Sequence, residues 1–146
     1  MPKRPSIDSE RKGSGFNLTS HALAVALTVG AVLGQFERNR AEVERLASDA
    51  IELSTRQNFA TWLPATVVLR GWARSALGDL REGIEWIVDG LRDMRAAASL
   101  TMPFMLALKS EALYLAGRTP DALEAIEEAE ALAERSEERW EGNNPE

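Results

Sequence analysis

A pattern of small residues and turns recurs along the chain at a fixed interval. When Gly78 is aligned with Gly117, 39 residues later, the residues around the two glycines correspond in type. Upstream of each glycine lies a further small residue, Gly71 in one case and Ser110 in the other. The remaining matched pairs are Leu77 with Ala116, Glu82 with Asp121, Gly83 with Ala122, Ile84 with Leu123 and Ile87 with Ile126. Self-similarity at such a period indicates a repeat protein, in which stacked units share one core.

A third, weaker repeat precedes these two. One similar step back along the chain reaches the segment QFERNRAEVERL. We align Val43 of this segment with Ile84, and Leu46 with Ile87. The turn of this repeat contains no glycine, so its alignment depends on the apolar residues alone.

The repeats predict the fold class. Apolar residues recur at helical spacing and strand-type runs are few. The sequence therefore predicts an all-α fold, a short right-handed α-solenoid of three helical hairpins and six helices. The hairpins cover about 18–57, 61–97 and 101–138. The repeat domain as a whole spans 18–140. We expect a disordered basic leader over residues 1–17 and a polar tail over residues 141–146.

The spacing of the small residues resembles that of tetratricopeptide-repeat (TPR) proteins. The segments LRGWARSALGDLREGIEWIVDGLRDMRA and ALYLAGRTPDALEAIEEAEALAE are also similar to a particular TPR array. It is the maltose-regulator-like array at the C-terminal end of bacterial signalling proteins that contain a class III adenylate cyclase and an ATPase module. The small residues that carry the resemblance are Gly71 and Ser110 inside the first helices (Gly30 or Ala31 in the first repeat), Gly78 and Gly117 seven residues later, and Gly83 and Ala122 five residues after those.

The chain departs from that family in two respects. No cyclase or ATPase module accompanies the repeats, and the segment EGNNPE stands where the family continues into another helix. The chain is therefore either a stand-alone array or a part of a longer protein. The catalytic activities of the family are not carried over to it.

The residue inventory argues against catalytic, cofactor and metal sites. The chain has no cysteine and a single histidine, His21, whereas zinc sites need three or four strong ligands. The stretches RSALGDLREG and KGSG lack the Lys-Ser or Lys-Thr pair that a phosphate-binding loop requires after its glycines. The net charge of −6 disfavours nucleic acid as a partner. We therefore expect a chain without enzyme activity, cofactor or metal.

The uncharged stretch 18–36 has two interpretations. It follows a basic segment and contains GAVLG, a GxxxG pattern typical of associating membrane helices. Its unbroken apolar run, 22–34, is shorter than the roughly 20 residues that span a bilayer. We therefore favour a core helix of the first repeat, and a membrane-tethered TPR adaptor is the alternative.

The resemblance also implies a binding groove. First helices of TPR hairpins line a concave surface, and residues just after the small position point into it. Aromatic residues among polar groups suit peptide binding on such a surface. The residues that match are Trp72, Ser75, Glu111 and Tyr114, with Arg74 and Lys109 near the rim. Trp72 can equally pack between repeats, and its direction is left open by the sequence.

These observations predict a non-catalytic protein-interaction module, a cytoplasmic TPR scaffold in bacterial signalling or regulation. Its partner is a protein or peptide that the sequence does not identify. The last helix has an apolar edge that no following helix covers. Either the polar tail or a partner would cover it, which motivates a prediction of self-association through that edge. The edge consists of Leu123, Ile126, Leu132 and Trp140.

Overall fold

The computed structural model describes residues 18–96 and 101–143, which form six helices and no strand. Consecutive helices pair into three hairpins, α1 with α2, α3 with α4 and α5 with α6. The first helices of the hairpins also pack on one another, and α3 and α5 each pack against the second helix of the preceding hairpin. The predicted solenoid of helical hairpins is thereby confirmed. The helices are α1 (Leu18–Phe36), α2 (Arg40–Arg56), α3 (Leu63–Ala76), α4 (Leu80–Ala96), α5 (Met102–Leu115) and α6 (Thr119–Asn143).

The helices of the middle hairpin approach closely because glycines face each other. A Cβ atom added to Gly71 would lie 2.6 Å from the carbonyl oxygen of Gly83. One added to Gly90 would lie 2.7 Å from the carbonyl oxygen of Pro64. Larger side chains at these points would push the helices apart, since protein interiors are close-packed. The expectation that Gly71 and Gly83 let the hairpin close is confirmed.

Each hairpin turns at a residue in the left-handed backbone region. Two of these residues are the expected glycines, Gly78 (φ 113°) and Gly117 (φ 77°), and the third is Arg38 (φ 60°). In each turn the next N–H donates to a carbonyl five residues back, as in the Schellman motif that ends many helices. These bonds run from Asn39 to Gly34 (2.8 Å), from Asp79 to Arg74 (3.0 Å) and from Arg118 to Leu113 (2.9 Å).

The turn at Arg38 corrects the alignment of the first repeat. Because Arg38 takes the place of Gly78, the first two hairpins are offset by 40 residues and not 41. Val43 therefore corresponds to Gly83, and the fully buried Ala47 corresponds to the fully buried Ile87. The predicted pairing of Val43 with Ile84 and of Leu46 with Ile87 is wrong by one residue. Without a turn glycine, the sequence offered nothing to fix the register there.

The C-terminal boundary lies further along the chain than expected. Helix α6 runs to Asn143, so residues 141–143 of the predicted polar tail are helical. The predicted leader, 1–17, and residues 144–146 lie outside the described residues.

The core lies between the first helices and their hairpin partners. Helix α1 contributes small buried residues, among them Ala31 and Thr28, whereas Ala24 belongs to a second cluster with Leu53 and Phe59. The Oγ1 atoms of Thr28 and Thr66, on α1 and α3, lie 3.1 Å apart in a buried contact. The largest side chains that are fully buried are Trp72, Leu69, Ile87, Leu91, Leu106 and Leu113.

Candidate partner-binding surface

Two of the predicted groove residues lie in the interior. Trp72 is only 1% exposed, and its indole ring belongs to the main core cluster. Ser75 is also buried, and its Oγ donates to the carbonyl oxygen of Gly71 at 2.9 Å. Neither side chain offers surface to a partner, and the direction of Trp72 that the sequence left open is toward the core.

Glu111 links Trp72 to the first hairpin. The indole Nε1 of Trp72 donates to Oε2 of Glu111 at 3.0 Å. The guanidinium group of Arg38 pairs with the same carboxylate, with Nη1 donating to Oε2 at 3.3 Å. Its Cζ atom also lies 5.6 Å from the centre of the Trp72 ring. The hydrogen bond to Glu111 and the attraction of its charge raise the pKa of Arg38 above the ordinary value. Glu111 is thus occupied within the chain.

The two predicted rim residues lie at other places on the surface. Arg74 is half-buried beside Glu44 of α2, with Nε 3.3 Å from Oε1, and its Cζ lies 5.2 Å from the centre of the Trp86 ring. Arg70 shares both neighbours. Lys109 lines a cleft of about 180 Å³ between α4, α5 and α6, together with Val88 and others. The structure therefore does not bring Arg74 and Lys109 together with Tyr114.

Tyr114 belongs to an open groove between α5 and α6, which we call the terminal groove. Its volume is about 400 Å³, and Glu111 forms part of its wall. Tyr114 is 67% exposed and Leu123 is 59% exposed. The terminal groove is lined by Ala107, Ser110, Glu111, Tyr114, Thr119, Ala122 and Leu123.

The terminal groove is the open form of a surface that is covered in the middle hairpin. There, 39 residues earlier, Trp72 and Ser75 take the places of Glu111 and Tyr114, and both are buried. The covering element is α5, which packs on α3 and α4. The same surface of the first hairpin, on α1 and α2, is covered by α3. Only in the third hairpin of the described chain does it face solvent.

The opposite end of the array is also apolar and open. Leu23, Val29 and Leu33 on α1 are each more than half exposed, and we call them the α1 end face. In α3 the residues that correspond to Val29 and Leu33 are Leu69 and Ala73, both fully buried. Their counterparts in α5 are Leu108 and Ala112, which are buried as well.

The predicted apolar edge of α6 is only partly exposed. Leu123 and Trp140 are exposed, whereas Ile126 and Leu132 are half-buried and Leu132 packs against the core. Leu123 belongs to the terminal groove, so the predicted edge and the groove share one residue.

The described residues hold no group of three or more His, Asp or Glu side chains that could bind a metal ion. Helix α1 is long and apolar enough to cross a membrane by length and composition alone.

Comparison of the chain with family models, with curated proteins and with solved structures gives no match.

The sequence singled out Glu111, Tyr114 and Leu123 but missed Arg38 and the α1 end face. The only signal for Arg38 was the absence of a glycine from the first turn. The signal for the α1 end face was available, because Val29 and Leu33 match core positions of the later repeats once the offset of 40 is known.

Proposed function

We propose that the chain is a non-catalytic protein-interaction module of the TPR type, whose terminal groove binds an apolar or amphipathic helix of a protein partner. The observation that carries the proposal is the contrast between two equivalent positions, since Tyr114 is 67% exposed whereas Ser75, in the hairpin on which α5 packs, is 3% exposed. A surface shaped to receive a helix is left unfilled there. Helix-in-groove binding, with exposed Tyr114 and Leu123 as apolar contacts, fits this surface. A place in bacterial signalling or regulation, in the cytoplasm, follows from the sequence resemblance.

A peptide selection tests this proposal directly. Helical peptides with an apolar face are selected against the full chain from a displayed library, and their binding is compared among variants. We expect Tyr114→Ala/Leu123→Glu to abolish binding, because it removes the aromatic contact and places a charge in the groove. The matched control is Leu77→Glu, since Leu77 is 53% exposed but lies at the turn of the middle hairpin. Peptides that bind the groove variant as well as the wild type would refute the proposal.

The alternative function, a TPR adaptor tethered to a membrane by residues 18–36, is favoured by the exposed apolar residues of α1. Insertion of this helix into a bilayer would break the buried contact between Thr28 and Thr66 and move the buried Gln35 into lipid. The Thr28–Thr66 contact and the burial of Gln35 therefore support the untethered interaction module. Flotation with phospholipid vesicles distinguishes the two, because only the tethered form moves with the vesicles.

A further inference from the structure

The two open ends of the array have the geometry of surfaces that already pair with each other inside the chain. We infer that the terminal groove of one copy receives α1 of a second copy, so that chains stack head to tail. This inference rests on the proposed helix-binding role of the terminal groove, and it names the helix that the groove binds.

The contact between successive hairpins is repeated along the chain. Within one chain, a hairpin receives the first helix of the next hairpin at two junctions, α3 on α1 and α2, and α5 on α3 and α4. Because the hairpins correspond position by position, the terminal groove has the shape of the receiving surface, and α1 is the corresponding incoming helix. A third junction of the same kind continues an interface that the chain makes twice.

The residues exposed on α1 are apolar, like the buried residues at the equivalent positions of the later first helices. Leu69 and Ala73 on the incoming α3 are fully buried, and their equivalents on the incoming α5, Leu108 and Ala112, are buried as well. On α1 the equivalent residues are Val29 and Leu33, and Leu33 is 57% exposed. Exposure of apolar surface to water at both ends of one molecule costs free energy. Contact between the two ends would bury this surface.

The two sides of the proposed junction also match in charge, because both lack the ionic groups of the first junction. At the first junction Glu44 on the receiving surface contacts Arg70 and Arg74 of the incoming helix. At the terminal groove the position of Glu44 is occupied by Leu123.

Helix α1, the proposed incoming helix, also lacks charge at the equivalent positions. It carries Gly30 and Gly34 at the positions of Arg70 and Arg74, and its sequence contains no charged residue. The ionic contact is thus replaced on both sides, by an uncharged residue in the groove and by glycines on the helix. A charged foreign helix would leave its charges unpaired against Leu123, whereas α1 would not.

Such an interface joins two different surfaces, so it is heterologous and does not close on itself as a symmetric dimer does. Each added copy exposes the same two ends again. The full-length chain is therefore expected to form a series of oligomers whose mean size grows with concentration.

The test uses two variants of the full chain, each with one end blocked. Leu33→Glu blocks the α1 end face and Leu123→Glu blocks the terminal groove, and Leu77→Glu is the control for a charge at an exposed leucine. Far-UV circular dichroism checks that each variant folds, which is expected because all three side chains are more than half exposed. Sedimentation velocity over a range of concentrations then measures assembly.

The wild type and Leu77→Glu should sediment faster as concentration rises. Either end variant alone should remain monomeric, with self-association weakened by about a hundredfold or more, because a carboxylate would be buried without a partner. An equimolar mixture of the two end variants should form a one-to-one dimer and nothing larger, because one good end of each kind remains. Two identical surfaces could not give that result.

Three sedimentation results would overturn the inference. One is a wild type that is monomeric at all concentrations, and another is a mixture of end variants that stays monomeric while the wild type assembles. The third is a wild type that stops at a symmetric dimer, which would point to the α6 edge. If the wild type is monomeric but the selected peptides still bind the terminal groove, only the stacking fails and the proposed function stands. If Leu33→Glu changes only the flotation with vesicles, the α1 end face binds lipid and the stacking also fails.

Discussion

The indole nitrogen of Trp72 donates to the carboxylate of Glu111, and the two residues occupy the same position in successive hairpins. One position of the repeat thus supplies a buried aromatic donor in the middle hairpin and its acceptor in the next. The guanidinium group of Arg38, from the turn of the first hairpin, completes the contact. All three hairpins therefore meet at Glu111.

Removal of the Glu111 carboxylate should destabilise the chain in a graded way. In Glu111→Ala the buried indole N–H loses its acceptor, which we expect to cost about 1–3 kcal/mol. In Glu111→Gln an amide oxygen can still accept from Trp72, and only the exposed pair with Arg38 is lost, so the cost should be roughly 0.2–1 kcal/mol. Urea unfolding followed by circular dichroism measures both. Equal losses in the two variants would show that the indole hydrogen bond contributes nothing.

The facing glycines should be intolerant of even one methyl group. Alanine is the better helix former by about 1 kcal/mol. Gly71→Ala should nevertheless lower the free energy of unfolding by about 1–3 kcal/mol, because its Cβ would overlap the carbonyl oxygen of Gly83. Gly142→Ala is the matched control, since nothing lies within 4 Å of a Cβ at that position of α6. Thermal unfolding of both variants gives the comparison, and a stabilised Gly71→Ala would mean that the helices do not approach as described.

The buried contact between Thr28 and Thr66 should show coupling. Each hydroxyl also lies within hydrogen-bonding distance of the carbonyl oxygen four residues earlier, Ala24 at 2.9 Å and Trp62 at 2.8 Å. We expect Thr28→Val and Thr66→Val each to lower the free energy of unfolding by about 1 kcal/mol, because each leaves the other hydroxyl without its neighbour. The double variant removes both hydroxyls and should cost less than the two single variants together. Chemical denaturation of the four proteins measures the coupling free energy. A strictly additive result would contradict the contact, and Thr55→Val, at an exposed site on α2, should change little.

The carboxyl of Glu42 should titrate below its ordinary range. Its pKa is lowered chiefly by the hydrogen bond from Arg45, whose Nε lies 3.1 Å from Oε2. A lowered folded pKa stabilises the fold above the ordinary pKa of glutamate, and this contribution is lost as the pH falls through the folded value. A carbon-13 NMR titration of the carboxyl measures the midpoint. Arg45→Ala should return the midpoint upward, whereas Arg56→Ala, at the other end of α2, should leave it unchanged.

Much of the fold could be predicted because the small residues and turn glycines mark the geometry directly. Gly78 and Gly117 adopt backbone angles that few other residues tolerate, and Gly71 stands where a Cβ cannot fit. The first hairpin was misaligned because Arg38 adopts the left-handed conformation without the residue type that signals it.

The proposed binding surface was harder to predict, since exposure depends on which helix packs next and not on local pattern. Trp72 and Glu111 occupy identical places in their helices, yet one is buried and the other borders open space. Arg74 was likewise predicted near the rim of the groove from its place in α3, but its guanidinium group lies beside Glu44 and Trp86. The period of the sequence identifies equivalent positions in the repeats, but it does not say which helix packs on each of them.

The contact between Arg38 and Glu111 also bears on how the array unfolds. Helical-repeat arrays are usually described as one-dimensional chains in which only adjacent units interact, so that an end unit can fray while the others remain folded. Here the turn of the first hairpin contacts the third, and Phe36 stacks on Phe104 at 5.5 Å between ring centres, again passing over the middle hairpin. Loss of either end unit removes contacts from the other. Amide protons of α2 and α6 should therefore exchange with solvent through a common opening reaction, and the three hairpins should melt as one cooperative unit.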